Sequence, residues 1–147
     1  MSTDGGLLEA VARMVELDVT AAQIFTKSQL RYKAPRLDSA LATEFKHRLA
    51  GTSVRFCCAH AGYLINLASP NPDVRVKSAA SLVDELERAE ALGCACLVMH
   101  PGSPQNDGRE VGLVRVVDGL RQALEKLPVA TIRVALEATA GQGACLG

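Results

Sequence analysis

The sequence predicts an α/β fold with a parallel sheet, in which helices and short apolar strands alternate along the chain. Three observations indicate this fold class. Apolar residues recur with helical spacing in four segments, four short apolar runs follow these segments in turn, and glycine or proline breaks several of the connections. Helices that alternate with buried strands form right-handed βαβ units, whose strands pair in parallel. We therefore expect the element order α-β-α-β-α-β-α-β.

The first half of the chain contains two helices and the first strand. Apolar residues at helical spacing predict a helix from Gly6, and Asp4 is its expected N-cap. The short apolar run Ala21–Thr26 predicts a strand. A second helix is expected from about Asp38 to Gly51, where the glycine ends it. Its inward side chains are expected to be Leu41, Phe45 and Leu49.

Two further strands enclose a long helix. Val54–His60 predicts a strand, and a connection containing Pro70 and Pro72 follows it. The helix after this connection is expected to end at Gly93. Its apolar residues are Val76, Ala79, Leu82, Val83, Leu86 and Leu92. The continuous apolar run Cys94–His100 is typical of a strand that is buried on both faces.

The last helix and strand complete the pattern. We expect the helix to end at Pro128 and the final strand to cover Ile132–Glu137. The apolar residues of this helix are Leu113, Val114, Val117, Leu120, Leu124 and Leu127. Pattern and length alone favour a doubly wound, flavodoxin-like domain, because the chain has 147 residues and a full β/α barrel needs about 250.

The composition restricts the classes of partner and compartment. Lys and Arg together number 16, as do Asp and Glu, so no overall electrostatic attraction to nucleic acid is implied. Any DNA contact must therefore come from local features. No apolar run approaches the length of about 20 residues that a membrane helix needs, so no membrane association is expected. The five cysteines contain no Cys-x-x-Cys pair, which favours reduced thiols in a cytoplasmic protein.

Three residues that can bind metals stand at the expected ends of successive strands. They are His60, His100 and Glu137, and about one βα unit separates each from the next. The carboxyl ends of parallel strands meet at one edge of the sheet, and two imidazoles with one carboxylate form a known zinc-binding set. Each residue alone could equally well just face solvent at a strand end. The remaining histidine, His47, is expected on the solvated face of a helix.

Several motifs in this sequence resemble those of the endonuclease IV family. They are, in order, Gly-Gly-Leu (5–7), Phe-Thr-Lys-Ser-Gln (25–29), His-Ala-Gly-Tyr-Leu-Ile-Asn-Leu (60–67), His-Pro-Gly-Ser (100–103) and Leu-Glu-Ala-Thr-Ala-Gly-Gln-Gly (136–143). The last three are the specific ones. They occur in the family's order and at a spacing of one βα unit, and the resemblance covers nearly the whole chain.

The resemblance implies part of a (β/α)8 TIM barrel, with residues 1–147 forming about four βα units as one partial domain. Met1-Ser2 match the end of the family's first-strand motif, Gly-x-His-Met-Ser. We therefore expect the first strand and the carboxyl-terminal half of the barrel to lie outside this sequence. In the family a zinc cluster at the carboxyl-end face hydrolyses the phosphodiester 5′ to abasic sites in DNA. His60, His100 and Glu137 match ligands of one zinc, and the glutamate also bridges to a second.

The resemblance also implies DNA contacts from two loops. Tyr63 and Leu64 match a loop that family members insert into the minor groove while the damaged nucleotide is flipped out. The alternative for Tyr63 is a half-buried loop anchor. Leu30 stands where the family often has a DNA-contacting arginine, so that Arg31 is the neighbouring basic residue available for this contact.

Incompleteness of the barrel leads to two further expectations. Strands at Ala21–Thr26 and Ile132–Glu137 would be unpaired edges, which favours self-association. The isolated chain is also expected to be an inactive fragment, because ligands for the other metals lie on later strands. One alternative is a metal-dependent sugar isomerase or epimerase of the related xylose isomerase-like barrels, which would not be expected to share residues 63–66 and 139–143. The other is a non-catalytic truncated product that serves only as a binding module.

Overall fold

The computed structural model describes residues 1–127, 132–139 and 143–146. The helices are α1 (Leu7–Glu16), α2 (Ser39–Ala50), α3 (Pro72–Ala91) and α4 (Arg109–Glu125), with a short 3-10 turn at Gln105–Asp107. The strands are β1 (Ala21–Phe25), β2 (Phe56–His60), β3 (Cys96–Met99) and β4 (Arg133–Leu136). The predicted alternation of helices and strands is therefore confirmed.

The four strands form one parallel sheet in the order β1-β2-β3-β4. Phe25 pairs with His60, His60 pairs with Val98, and Met99 pairs with Leu136. This sequential order is that of a barrel segment, whereas a flavodoxin-like sheet changes direction at a switch point. The flavodoxin-like fold that pattern and length alone favoured is therefore wrong, and the partial TIM barrel is confirmed.

The hydrophobic core lies between the helices and one face of the sheet. Alternate strand residues, including Ile24, Ala59 and Leu97, are fully buried in one cluster with helix side chains such as Phe45 and Leu82. Burial of this kind stabilises each large apolar side chain by about 1.5–3 kcal/mol. The opposite sheet face corresponds to the inside of a barrel.

Local signals fix two of the helix ends. The Asp38 side chain caps α2 by accepting hydrogen bonds from the N–H groups of Ala40 and Leu41. Gly93 follows α3 with φ +72°, a conformation that disfavours any residue with a side chain. The expected Asp4 cap is wrong. Gly6 is the N-cap of α1, and glycine has no side chain that could accept a capping hydrogen bond.

Several predicted boundaries also need correction. All four strands are shorter than expected, so that Thr26 and Glu137 follow their strands rather than belonging to them. Pro72 is the first residue of α3, where its missing N–H costs no hydrogen bond. Val76, expected on the apolar side of α3, is exposed. The end of α4 precedes Pro128, which lies outside the described residues.

The outer strands and α4 carry exposed apolar surface. Leu136 on β4 is exposed, as are Leu113, Val114, Val117 and Leu124 on α4. In the described part of the chain, β1 and β4 each pair with one neighbouring strand. Open strand edges next to apolar side chains favour pairing with another copy. None of the described helices is long and apolar enough to cross a membrane.

We propose that the 147-residue chain self-associates through these strand edges. Light scattering after size exclusion should show a mass that increases with protein concentration. Leu136→Lys should shift the distribution toward the monomer, because it places a charge at the β4 edge. Val76→Lys introduces the same charge at an exposed site on α3 and should leave the distribution unchanged. A stable wild-type monomer at tens of micromolar would contradict the proposal.

Candidate metal centre

Three side chains that can bind a metal meet at the carboxyl edge of the sheet. His60 is the last residue of β2, His100 directly follows β3, and Glu137 directly follows β4. Backbone hydrogen bonds continue past the strand ends, from Ala61 N–H to Val98 O at 2.8 Å and from Glu137 N–H to Met99 O at 2.9 Å. The sheet ladder itself therefore sets the height of these side chains.

The ligand atoms face one another. His60 Nε2 lies 3.0 Å from Glu137 Oε2, and His100 Nε2 lies 3.9 Å from the same oxygen. The two imidazole centroids are 5.2 Å apart. One ligand atom from each residue lies within 4.8 Å of the other two, so the three can surround a single ion. The convergence predicted from the sequence is present in the structure.

Hydrogen bonds to the main chain set the tautomer of both imidazoles. His60 Nδ1 is 2.7 Å from Ala61 O, and His100 Nδ1 is 3.3 Å from Glu137 O. A carbonyl oxygen only accepts hydrogen bonds, so each Nδ1 carries a proton. His60 Nε2 lies within hydrogen-bond distance of Glu137 Oε2, at 3.0 Å, and a cation that replaces the proton between these two acceptor atoms would bind both. This arrangement is the one in which protein histidines bind metals.

The donor set fits zinc. Two imidazole nitrogens and one carboxylate oxygen are the protein ligands of known catalytic zinc sites, which keep a further position open. The His60 side chain is 5% exposed, whereas those of His100 and Glu137 are 34% and 48% exposed. The group is therefore anchored on its His60 side and accessible from solvent on the other, as a site that admits a substrate must be.

Aromatic rings flank His60, and one of them was not expected from the sequence. The Phe25 ring centroid lies 5.5 Å from that of His60 and 5.5 Å from that of Tyr63, both in edge-to-face geometry. Tyr63 also contacts His60, at 5.9 Å between centroids. Phe25 thus packs against both a candidate ligand and a candidate DNA-contacting residue. The available sequence signal was its place near the end of the apolar run Ala21–Thr26, and the structure pairs it with His60.

The candidate DNA-contacting residues lie in two adjacent loops. Tyr63 N–H donates to Gln29 O at 3.0 Å, and Tyr32 OH donates to Leu64 O at 2.9 Å. These bonds hold the loop after β1 against the loop after β2. The side chains of Leu30, Arg31, Tyr63 and Leu64 are all exposed. Tyr63 therefore has both an exposed ring and an aromatic contact, and His47 lies exposed on α2 as expected.

A buried ionic network anchors both loops to α3. The Lys27 ammonium donates to Asp84 at 2.6 Å and to Ser81 at 3.0 Å. Glu85, which is 1% exposed, accepts hydrogen bonds from Thr26 OH and from Gly62 N–H, each at 2.9 Å. These polar residues share the buried face of α3 with leucines. Charged residues on an otherwise apolar helix face were the sequence signal for this network.

Burial shifts the pKa of two kinds of group near the sheet. Desolvation raises the pKa of Glu85 above its usual 4.5, and the hydrogen bond from Gly62 and the charge of Lys27 oppose this shift. A hydrogen bond with Cys57, together with burial, raises the pKa of the Cys94 thiol. All five cysteines are free, and three of them are buried. They pack as small apolar residues, as expected.

The fold and the strand-end site together define a class of protein. Residues 11–147 match the family model of the xylose isomerase-like TIM barrel. The chain therefore belongs to the xylose isomerase-like TIM barrel family.

Within that family the chain is similar to endonuclease 4. It is 38% identical to "Probable endonuclease 4" of Chloroflexus aggregans over 147 residues, which is 100% of this chain and 51% of the relative. Identity to the protein of the same name from Trichlorobacter lovleyi is 40%, over 100% of this chain and 52% of the relative. The chain thus spans about half the length of the curated relatives it matches.

Solved structures agree with this relationship. Endonuclease IV from Thermus thermophilus superimposes with a TM-score of 0.86 and 34% identity, over 100% of this chain and 53% of that one. D-Psicose 3-epimerase from Clostridium cellulolyticum gives a TM-score of 0.69 at 17% identity, over 93% of this chain and 48% of that one. The second likeness is one of fold alone.

The buried network generates a prediction about stability. Glu85→Ala should lower the free energy of unfolding by about 3 kcal/mol, because Thr26, Gly62 and Lys27 lose a buried acceptor or counter-charge. Glu85→Gln keeps one acceptor oxygen for Gly62 N–H, and its NH2 group can donate to the Thr26 hydroxyl, so it should cost less, about 1 kcal/mol. Urea denaturation measures both values. Equal losses in the two variants would contradict this account, because they would show that the polar contacts that glutamine retains contribute little.

The raised pKa of Glu85 adds a pH dependence to the same experiment. The folded chain holds this proton more tightly than the unfolded chain, so the contribution of Glu85 to stability is greatest at low pH. It falls as pH rises from about 4.5 through the raised pKa. Glutamine does not titrate. The stability deficit of Glu85→Gln should therefore be larger at pH 4 than at pH 7, and the opposite trend would contradict this assignment.

Proposed function

We propose that this chain supplies one zinc site of an apurinic/apyrimidinic endonuclease, which hydrolyses the phosphodiester 5′ to abasic sites in DNA for base excision repair. The observation that carries the proposal is the convergence of His60, His100 and Glu137 on one point, at 4.8 Å or less between ligand atoms. It occurs in a chain whose full length is similar to proteins named probable endonuclease 4. The proposed cofactor is zinc.

Each ligand has a separate part in this proposal. His60 and His100 would bind zinc through Nε2, and their Nδ1 contacts with Ala61 O and Glu137 O orient the rings. Glu137, the proposed catalytic residue, would add a carboxylate oxygen, and its second oxygen is available to another cation. When bound, zinc supplies Lewis-acid stabilisation of negative charge on a phosphate. Accessibility on the Glu137 side leaves space for the DNA backbone.

The loops beside the metal centre supply a surface suited to distorted DNA. The Tyr63 ring is 59% exposed, Leu64 is 37% exposed and Leu30 is 68% exposed. Apolar side chains of this kind insert between base steps in proteins that bend DNA from the minor groove. Arg31 in the same loop is exposed and can contact phosphate. We propose that these four residues contact the DNA around the abasic site.

The 147-residue chain is expected to be inactive by itself. Among the residues that the structure describes, one group of three or more metal-binding side chains is present. Phosphodiester hydrolysis at multi-metal sites depends on charge stabilisation at both the attacking and the leaving oxygen. A single metal site supplies only part of this charge stabilisation. Each loss of about 1.4 kcal/mol of transition-state stabilisation lowers the rate about tenfold.

A zinc titration tests the metal centre. The wild-type chain should bind one zinc ion, and His60→Ala and His100→Ala should each weaken binding by at least about tenfold, because each removes one ligand. His47→Ala removes the third histidine, which is exposed on α2, and should leave zinc affinity unchanged. Equal affinity of wild type and His60→Ala would show that zinc binds elsewhere.

The same samples should be given an oligonucleotide duplex with one abasic site. We expect zinc binding without measurable nicking. Nicking by the wild-type chain that His100→Ala abolishes would support the endonuclease assignment but contradict the incomplete cluster. Epimerisation of a ketohexose in place of nicking would favour the sugar-converting branch of the family.

A further inference from the structure

One asparagine joins the loops that follow two of the candidate ligands. Asn66 lies six residues after His60, and Ser103 lies three residues after His100. The Asn66 side chain donates from Nδ2 to Ser103 O at 3.1 Å, and its Oδ1 accepts from Ser103 N–H at 3.0 Å. The amide therefore satisfies both backbone groups of Ser103, as a neighbouring strand would do.

The main chain at Asn66 is itself anchored to helix α3. Its backbone N–H donates to the hydroxyl of Ser78, a fully buried residue of α3, at 2.9 Å. The adjacent side chains of Ile65 and Leu67 are buried in the core. The side-chain amide thus projects from a fixed point of the main chain. A contact made from such a point can position the loop on the other side.

The opposing loop is shaped to receive this amide. Gly102 has φ +102°, and a Cβ atom at this position would lie 2.2 Å from Asn66 Oδ1. Only glycine leaves room for the amide at this distance. Gly102 O also accepts from Leu146 N–H at 2.8 Å, and Ser103 OH donates to Ala144 O at 3.1 Å. The same loop therefore joins the segment 143–146, which follows Glu137 in the chain.

His100 is the ligand that depends most on this contact. The His60 ring is buried and has a 2.7 Å contact from Nδ1, so its own surroundings fix it. The His100 side chain is 34% exposed, and its Nδ1 contact is longer, at 3.3 Å. Its position is set mainly by the main chain on either side. Before it lies β3, and after it lies the loop that Asn66 holds.

We propose that Asn66 is a positioning residue of the metal centre, whose amide fixes the loop after His100 and thereby the imidazole of His100. This inference deepens the proposed function and rests on the same three ligands. Outer contacts that orient metal ligands commonly change metal affinity by about 10–100-fold when they are removed. The hydrogen bonds of the Asn66 side chain go to Ser103 and not to the ligands, so its effect would pass through the loop.

The test compares two asparagine variants. Asn66→Ala should weaken zinc binding by about tenfold or more. Asn71→Ala is the matched control. The Asn71 side chain caps α3 by accepting a hydrogen bond from Asp73 N–H, and this bond is not part of the contact between Asn66 and Ser103. The Asn71→Ala variant should lose about 1 kcal/mol of its free energy of unfolding, yet it should keep wild-type zinc affinity. Wild-type affinity in Asn66→Ala would overturn the inference.

A metal-free measurement separates this inference from the proposed function. The chain contains three histidines, so nitrogen-15 NMR can follow each imidazole. In Asn66→Ala the His100 signals should shift or broaden, while those of His47 stay unchanged. If the wild type binds no zinc, the metal centre fails, but the NMR result still decides the role of Asn66. Unchanged His100 signals would overturn it.

Gly102→Ala perturbs the same contact from the other side. Its methyl group would displace the Asn66 amide, so zinc affinity should fall while Asn66 remains in place. In the double variant the loss should be smaller than the sum of the two single losses, since both disturb one contact. This variant also provides the test if Asn66→Ala does not fold. Fully additive losses would show that the two residues act independently, against the inference.

Discussion

The parallel register of the four strands is the constraint on which the rest of the structure depends. Backbone hydrogen bonds align the strands so that their carboxyl ends lie along one edge. His60, His100 and Glu137 are distant in sequence, yet this alignment brings their side chains within reach of one ion. The core on the other sheet face holds the register, because a slip by one residue would exchange buried and exposed faces. Folding energy and site geometry are therefore linked.

Most of the fold followed from local patterns in the sequence. Helices and short strands depend mainly on neighbouring residues. The helical spacing, the short apolar runs, the Asp38 cap and the Gly93 stop therefore located these elements. The ends of the strands and their order in the sheet could not be predicted from local patterns. Length and pattern favoured a flavodoxin-like sheet, since strand order depends on contacts between distant residues. The family resemblance, which carries information about the whole barrel, indicated the partial TIM barrel.

The candidate ligands were predictable, whereas their supporting residues were not. His60, His100 and Glu137 combine distinctive chemistry with positions at strand ends. Glu85 and Asn66 form hydrogen bonds with backbone groups of loops that are distant in sequence, and nothing in their local sequence specifies those partners. The polar residues on the buried face of α3 were the one visible sign. The placement of the loops was therefore the part of the structure that the sequence predicted least well.

X-ray absorption at the zinc edge tests the central claim most directly. The chain offers two kinds of donor, the three residues of the metal centre and five free cysteines. Nitrogen and oxygen ligands bind zinc at about 2.0–2.1 Å, whereas cysteine sulfur binds at about 2.3 Å. If the strand register forms the metal centre, zinc should be bound by nitrogen and oxygen atoms that include two imidazoles. A shell dominated by sulfur would contradict it, because zinc would then be bound away from the strand-end residues.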